Sequence, residues 1–219
     1  IMVFRESDMT KSNTKRVSPG RIWPDWYSAL ATFRDSDSRK AAWQFINTIV
    51  PYCGLWYLMI RSIQRDYPYM LTLILALPAA AFMVRLFILF HDCVHGSFFR
   101  RQNVNTFFGY FLGVLVFTPF EDWRFAHLRH HVTYANLDAR GFGDIWTMTL
   151  TEYKNVSKKK RLQYRLYRNP VVMMGLGALF MFLLRNRLPT RWVKRKERMS
   201  VLFTNLLILV VILIADRYI

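Results

Sequence analysis

The sequence predicts an all-α protein, a multi-pass transmembrane helical bundle, from its apolarity, its charge and the way the two alternate along the chain. The 219 residues are 53% hydrophobic, yet the chain carries a net charge of +17. A soluble chain this basic is usually less apolar, so the two values agree only if the apolar residues lie in lipid and the basic ones beside it. Long apolar runs separate the basic clusters, which argues against a nucleic-acid partner.

The first 40 residues differ in composition from the rest of the chain. They are polar and contain two turn signals, Ser18-Pro19-Gly20 and Trp23-Pro24-Asp25. They hold no apolar stretch of the length that a secretory signal peptide requires. We therefore interpret residues 1–40 as a cytoplasmic N-terminal head and residues 41–219 as one membrane domain.

Two apolar runs follow the head, at residues 41–60 and 67–90. Each has about the 20 residues that cross a bilayer, and the only charge in the second run is Arg85, near its end, where a long side chain can snorkel to the interface. The short turn between them predicts an antiparallel hairpin. The head holds eight Lys and Arg, against two in residues 61–66. The positive-inside rule then puts both the head and the chain after the hairpin on the cytoplasmic side.

Three later apolar runs predict different relations to the membrane. Residues 104–120 are short for a span and contain two glycines and a proline, so they could span, lie at the interface or form a re-entrant segment. Residues 171–184 are shorter and have basic residues on both flanks, which favours a re-entrant or interfacial run over a full crossing. Residues 201–215 are almost purely aliphatic and predict a full span.

Five histidines form two tight clusters, and the chain has no other histidine. In the first cluster the two histidines are four residues apart, so on a helix they share one face. In the second, two histidines follow the first at three and four residues and flank its direction. Neutral imidazole ligates metals near pH 7. We expect all five rings to converge on one metal site, formed by His91, His95, His127, His130 and His131.

The number of imidazoles bears on how many metal ions are held. A catalytic zinc site uses three protein ligands, so five imidazoles suggest two metals, about 3.5–4 Å apart. Imidazole suits iron, zinc and copper alike, and the spacing leaves the metal open. Asp92 and Asp144 could hydrogen-bond ligand rings from outside the site. The alternatives are that Asp92 is a plain polar residue at the membrane edge and that Asp144 is structural.

The motifs around these histidines resemble a known family. The stretch from His91 to Phe99, HDCVHGSFF, resembles the first histidine box of acyl-lipid desaturases, particularly the delta-12 (omega-6) branch. Trp123-Arg124 ahead of the second cluster resembles their second box, and the GFGDI stretch at 141–145 is also similar. The resemblance runs from about residue 50 to the end. Val94 departs from it, since the branch commonly has glycine there.

The resemblance implies a chemistry and a set of partners. It implies two irons held by histidines from three boxes, with dioxygen as co-substrate and a cis double bond, at delta-12, as product. The substrate would be an acyl lipid or another acyl carrier, and electrons would come from a ferredoxin or a b-type cytochrome. We expect the chain to be an N-terminal fragment, because it lacks a third box, and to be inactive alone. The third box should follow another membrane span that returns the chain to the cytoplasm.

Two other functions fit parts of the pattern. Histidine-box hydroxylases or ketolases that act on carotenoids have a first box that also begins His-Asp, but the Gly96-Ser97-Phe98-Phe99 tail favours a desaturase. A non-catalytic metal-binding membrane protein, such as a transporter, should place its ligands at mid-membrane depth. Here both clusters lie outside the apolar runs.

Overall fold

Helices make up the regular structure of this computed structural model, which describes Trp26 and residues 35–141, 143–191 and 193–218. The helices are α1 (Ser38–Gln64), α2 (Tyr69–His95), α3 (Gln102–Leu115), α4 (Phe120–Thr133), α5 (Leu150–Asn155), α6 (Lys158–Tyr167), α7 (Val172–Arg187) and α8 (Arg195–Tyr218). No strand occurs within these ranges, which confirms the all-α class. Most of the proposed head lies outside the described residues, and its boundary at residue 40 stays a prediction.

The first two helices form the expected antiparallel hairpin. The side chain of Asp37 caps α1 by accepting hydrogen bonds from the backbone of the first turn. The side chains of Ser62 and Thr72, one on each helix, lie 3.3 Å apart near the connection. Farther along, Arg85 Nη2 donates to Asn47 Oδ1 at 2.7 Å. One guanidinium N–H of Arg85 is thereby paired with a polar residue of the neighbouring helix.

Two helices are long and apolar enough to cross a membrane, α2 and residues Arg195–Arg217 of α8, in agreement with the runs at 67–90 and 201–215. The predicted span at 41–60 does form a helix, but within the described residues it does not reach the same apolarity. Its inward polar residues, such as Asn47, bond to α2 instead. A crossing there stays a prediction. Two bent helix pairs, α3 with α4 and α6 with α7, would raise the count to four if each were one span.

The chain reverses sharply between α3 and α4, whose axes differ by 103°. Gly109 faces the ring of Phe120 with no room for a side chain, and a Cβ on Gly113 would lie 2.5 Å from the backbone oxygen of Thr118. Phe117, at the corner, has a positive φ of 53°, an unfavourable conformation for a bulky residue. The run at 104–120 therefore does not continue as one helix. It leaves the first histidine cluster and returns the chain toward it.

A polar clamp, formed by residues 186–190, holds this corner in place. The side chain of Asn186 donates to the oxygen of Phe117 at 3.2 Å, and Arg187 donates to the same oxygen. Thr190 donates from its backbone and its hydroxyl to the buried carboxylate of Asp122, at 2.8 Å each. Arg187 and Asn205 also bond reciprocally, which joins the clamp to α8. The beginning of α4 is thus fixed from a distant part of the chain.

Candidate metal centre

The last turn of α2 carries the first histidine pair. His91 and His95 are one turn apart, with ring centroids separated by 4.6 Å. The helix ends directly after them because Gly96 adopts the left-handed conformation with φ 69°. A Cβ there would collide with the side chain of Gln102, at the start of α3. Glycine therefore lets the helix stop at the first box and the chain turn away.

The helix α4 brings the second cluster onto the first. His127 Nε2 lies 3.0 Å from His95 Nε2 and 3.0 Å from His131 Nε2. Four histidines each contribute one ring nitrogen to a compact group: His91, His95, His127 and His131. These four nitrogens all lie within 4.8 Å of one another. These residues come from two helices that the α3–α4 reversal brings together. The structure thus places the two boxes at one site, as a shared metal centre requires.

The structure brings four of the five predicted rings together, and His130 lies apart from this group. Its ring centroid is 6.3 Å from that of His127, and its Nδ1 lies 2.8 Å from Asp144 Oδ1. The reason is geometric: His131 is four residues from His127 and lies on its face, whereas the third residue points to the other flank. A role for His130 as a ligand stays a prediction.

The two aspartates named from the sequence each lie beside a histidine ring. Asp144 contacts His130, and Asp92 Oδ1 lies 3.2 Å from His91 Nδ1. Asp92 and His91 form a hydrogen bond, and a carboxylate so placed fixes the tautomer and the orientation of an imidazole. Asp144 and His130 are close, but no hydrogen bond joins them in the described residues. Neither aspartate belongs to the group of four rings. Their influence on a metal would pass through the histidines that they touch.

Asp144 lies in a loop that an ion pair between Arg140 and Glu152 closes. Arg140 binds Glu152 with two nitrogen atoms, at 2.7 and 3.2 Å, and Asp144 Oδ2 accepts from the backbone of Gly141 at 3.2 Å. The Arg140 guanidinium and the backbone at Thr149 lower the pKa of Glu152 to about 2. The sequence offered no signal for this pair, because two charges twelve residues apart are common in any loop.

Trp123 is a further residue whose contact the sequence did not reveal. Its ring stacks on that of His127 with centroids 4.2 Å apart and an interplanar angle of 15°. It also meets Phe87 and Phe90 of α2. The signal was present in the spacing, since Trp123 precedes His127 by four residues on one helix. The contact holds the His127 ring in a fixed plane.

The donor set fits a first-row transition metal. Such ions bind imidazole nitrogen at about 2.0–2.1 Å, so two adjacent ligands of one ion lie roughly 3 Å apart. The two nitrogen pairs that involve His127 have that separation. Neutral nitrogens brought this close need either a shared proton or a shared cation. The four-histidine group is therefore suited to hold a metal, with imidazole leaving the choice among iron, zinc and copper open.

An apolar cavity of about 850 Å³ adjoins the centre. This volume is within the range of small-molecule sites, roughly 300–1,000 Å³. His127, His130 and Asp144 line it on the side of the metal centre. The rest of its wall has an aromatic and aliphatic part, which includes Phe87, Trp123, Ala126, Val172, Met173, Ala178 and Phe182, and a polar part formed by Asp122, Arg185, Asn186, Thr190 and Arg191. The cavity can therefore take a long apolar group and present it to the histidines.

Known proteins that match this chain are desaturases that act on fatty acids or acyl lipids. A family model for fatty acid desaturases matches residues 68–215. A fatty acid desaturase of Bacillus subtilis (strain 168) is 44% identical over 179 residues, 82% of this chain and 50% of that protein. The sn-1 oleoyl-lipid 12-desaturase of Arthrospira platensis is 27% identical over 173 residues, 78% of this chain and 46% of the relative. The chloroplastic sn-2 acyl-lipid omega-3 desaturase (ferredoxin) of Arabidopsis thaliana is 24% identical over 140 residues, 62% of this chain and 31% of the relative. No solved structure matches the chain.

The matched region contains both histidine clusters and the corner that joins them. The chain spans about half the length of the first two relatives, at 50% and 46%. The family model nevertheless covers more than half of the chain, from the start of α2 into α8. By this match, the chain belongs to the fatty acid desaturase family.

Proposed function

We propose that the protein containing this chain is a membrane desaturase that introduces a cis double bond at the delta-12 position of an acyl chain. One observation carries the proposal: four histidines from two boxes meet beside an apolar cavity of about 850 Å³. The 12-desaturase named among the relatives supports the position. The omega-3 desaturase supports the competing position nearer the methyl end.

The reaction needs a metal because no side-chain acid or base can remove hydrogen from an unactivated methylene. Two hydrogens leave adjacent carbons, dioxygen is reduced to two waters, and two electrons and two protons complete the balance. Bound iron would supply dioxygen activation and C–H cleavage. His91, His95, His127 and His131 would hold it, with His130 as a fifth candidate ligand. We propose two irons, because five imidazoles exceed the ligand count of one catalytic ion.

The chain's own residues would bind and orient the substrate. The aromatic and aliphatic wall of the cavity binds the acyl chain and excludes water from the reacting carbons. Trp123, which lies in this wall and stacks on His127, would contact the acyl chain beside the metal centre. Asp144 and Asp92 hold the rings that they contact in one orientation. Catalysis by this part of the protein is then mainly a matter of placement.

We propose that the histidine boxes face the cytoplasm in a multi-pass membrane protein. The basic residues of the head and of the segments that flank α7 support this orientation. Electrons would come from a ferredoxin or a b-type cytochrome, and the ferredoxin named for the Arabidopsis relative supports the first. Cysteine labelling of exposed positions in sealed vesicles tests the orientation. If an Arg129→Cys variant in right-side-out vesicles reacted with a membrane-impermeant reagent added outside, the boxes would face away from the cytoplasm and the orientation would be overturned.

Product analysis tests the activity. The complete protein that contains this chain would be expressed in a host that makes only monounsaturated acids, and the methyl esters would be analysed by gas chromatography and mass spectrometry. We expect a new diene with its second bond at delta-12, and none from the His127→Ala variant. A methyl-end position would favour the omega-3 alternative. An oxygenated carotenoid in a carotenoid-producing host, without any new fatty acid, would overturn the proposal.

Metal analysis of the same purified protein tests the cofactor. We expect two irons per chain, lost in the His127→Ala variant, and absent zinc. About two zinc ions and no iron would refute an iron enzyme, even if the fold and the histidine cluster were as described.

A further inference from the structure

The short helix α6 has two unlike faces. One face packs on the loop that carries the metal-centre residues: the hydroxyls of Tyr164 and Tyr167 lie 3.4 Å from the backbone nitrogens of Met148 and Trp146. The ring of Trp146 contacts both tyrosines. The two tyrosines and Trp146 on this face are therefore partnered within the protein, whereas Lys160, near the beginning of the helix, is exposed.

The opposite face presents an apolar stripe between cations. Leu162 and Leu166, one helical turn apart, are 58% and 55% exposed. By the 100° rotation per residue of an α-helix, Lys158 and Lys159 lie on either side of this stripe. In the part of the chain that the structure describes, neither lysine side chain has a hydrogen bond or an ion pair. We call these four residues the outward face of α6.

The charge around this face is one-sided. Residues 154–168 contain seven Lys and Arg and no acidic residue. Two of the arginines have partners within the fold, since Arg161 donates to the backbone of Val156 and Arg165 donates to the hydroxyl of Tyr153. Lys158 and Lys159, at the beginning of α6, are therefore available to bind anions outside the described part of the chain. An exposed leucine pair flanked by lysines, on a helix without acidic residues, has the chemistry of an interfacial helix on an anionic surface.

The neighbouring structure points the same way. The chain bends by 67° into α7, whose Met174 and Leu176 are 75% and 66% exposed. The leucine stripe is thus followed by an apolar helix suited to lipid. Tyr167, at the end of α6, lines the cavity beside the metal centre. A helix that lies on the membrane at this point would hold the cavity next to the lipids.

We propose that the outward face of α6 docks on the headgroup layer of the surrounding membrane and binds anionic phospholipid. The leucines enter the boundary of the acyl chains while Lys158 and Lys159 reach the phosphates. The inference adds to the proposed function the lipid class that lies beside the substrate cavity. It rests on residence in the membrane and not on the double-bond chemistry, so the two can fail separately.

Spin labels test the docking in the complete protein. In a background with Cys53→Ser and without any exposed cysteine in the rest of the complete protein, where Cys93 is buried, nitroxides are attached after Leu162→Cys, Leu166→Cys or Lys160→Cys substitution. The samples are nanodiscs of phosphatidylcholine with or without phosphatidylglycerol. With phosphatidylglycerol, the labels at 162 and 166 should collide more with oxygen than with a water-soluble nickel chelate. The label at 160, which lies away from the stripe, should show the reverse.

Three results would overturn the proposal. Nickel access to the labels at 162 and 166 would place the helix in water. Labels that neither reagent reaches, in nanodiscs and in detergent alike, would show that protein covers this face. Equal docking in discs that lack phosphatidylglycerol would exclude anionic lipid as the partner.

Charge variants give a matched comparison. With a label at 162, the Lys159→Gln substitution should lower the ratio of docked to undocked spectral components about fivefold, the effect of one lysine at an anionic surface. The Lys160→Gln variant removes the same charge from a position away from the stripe and should change the ratio much less. Equal effects of both variants would mean that only net charge matters, which contradicts a specific outward face.

Discussion

The close contact between α3 and the corner before α4 predicts that a single methyl group will separate the two histidine boxes. In the Gly113→Ala variant, the new Cβ would lie 2.5 Å from the backbone oxygen of Thr118. Ordinary carbon–oxygen contacts begin at about 3.3 Å, so against the 2.5 Å available the corner must move by roughly 0.8 Å. The obstacle is backbone, and no rotamer change of a side chain can relieve it.

The displacement affects both stability and the metal centre. Overpacking of this kind costs about 1–3 kcal/mol. For a chain of this size, each kcal/mol lowers Tm by about 2–4 °C. Because α4 carries His127 and His131, the same movement shifts them relative to the pair on α2. A misplacement of about 1 Å can lower activity by about 100-fold. We therefore expect a lower Tm together with a larger loss of bound iron and of product.

The assay is thermal unfolding of the purified complete protein, with iron content and double-bond formation measured on the same samples. Gly54→Ala is the matched control, since a Cβ at that position of α1 meets nothing within 4 Å. It should keep its iron and unfold at the same temperature or slightly higher, because alanine favours a helix. If Gly113→Ala matched this control in all three measurements, the corner would not be packed as described.

Three further predictions concern residues around the centre. Asp144→Asn should lower iron affinity by about 10–100-fold, measured by titration, because the contact with a histidine ring is weakened; the exposed Asp138→Asn in the same loop should not. The folded-state pKa of Glu152 is about 2, below its ordinary value of 4.5, so its ion pair stabilises the fold above pH 4.5 and is lost as the pH falls toward 2. The Glu152→Gln variant should therefore show a smaller fall in Tm over that range than the unsubstituted protein. If both proteins lost the same Tm, the Arg140–Glu152 ion pair would not stabilise the fold. Trp123→Ala should release the ring of His127 and lower both iron content and substrate affinity, whereas Trp123→Phe should retain most of each; equal losses would show that stacking is not what matters.

The sequence was sufficient for those features of the centre that depend on local spacing. Residues four apart share a helix face, and this rule gave the pairs His91 with His95 and His127 with His131. The apolar runs of α2 and α8 were evident from composition alone. The clustering of the only histidines in the chain then required that the intervening segment return to its starting side.

The features that escaped prediction depend on contacts between distant residues. His130 lies beside Asp144 of a following loop, and no local pattern shows where that loop will lie. The hydrogen bond from Arg85 to Asn47, 38 residues earlier, could not be predicted from either apolar run alone. Helix periodicity gives the direction of a side chain but not the partner that it finds there.

The clamp at residues 186–190 has a consequence for the order in which the protein matures. The corner before α4 depends on Asn186 and Arg187, and Arg187 depends in turn on Asn205. Asn205 follows His131, the last histidine of the second box, by 74 residues. The ribosome adds these in roughly 4–15 seconds at about 5–20 residues per second. Until then the nascent chain has its histidines, but the corner before α4 lacks the hydrogen bonds that Asn186, Arg187 and Asn205 provide. A metal ion that arrived before then would meet ligands whose supporting contacts are incomplete, so we expect metal loading to follow the synthesis of α8.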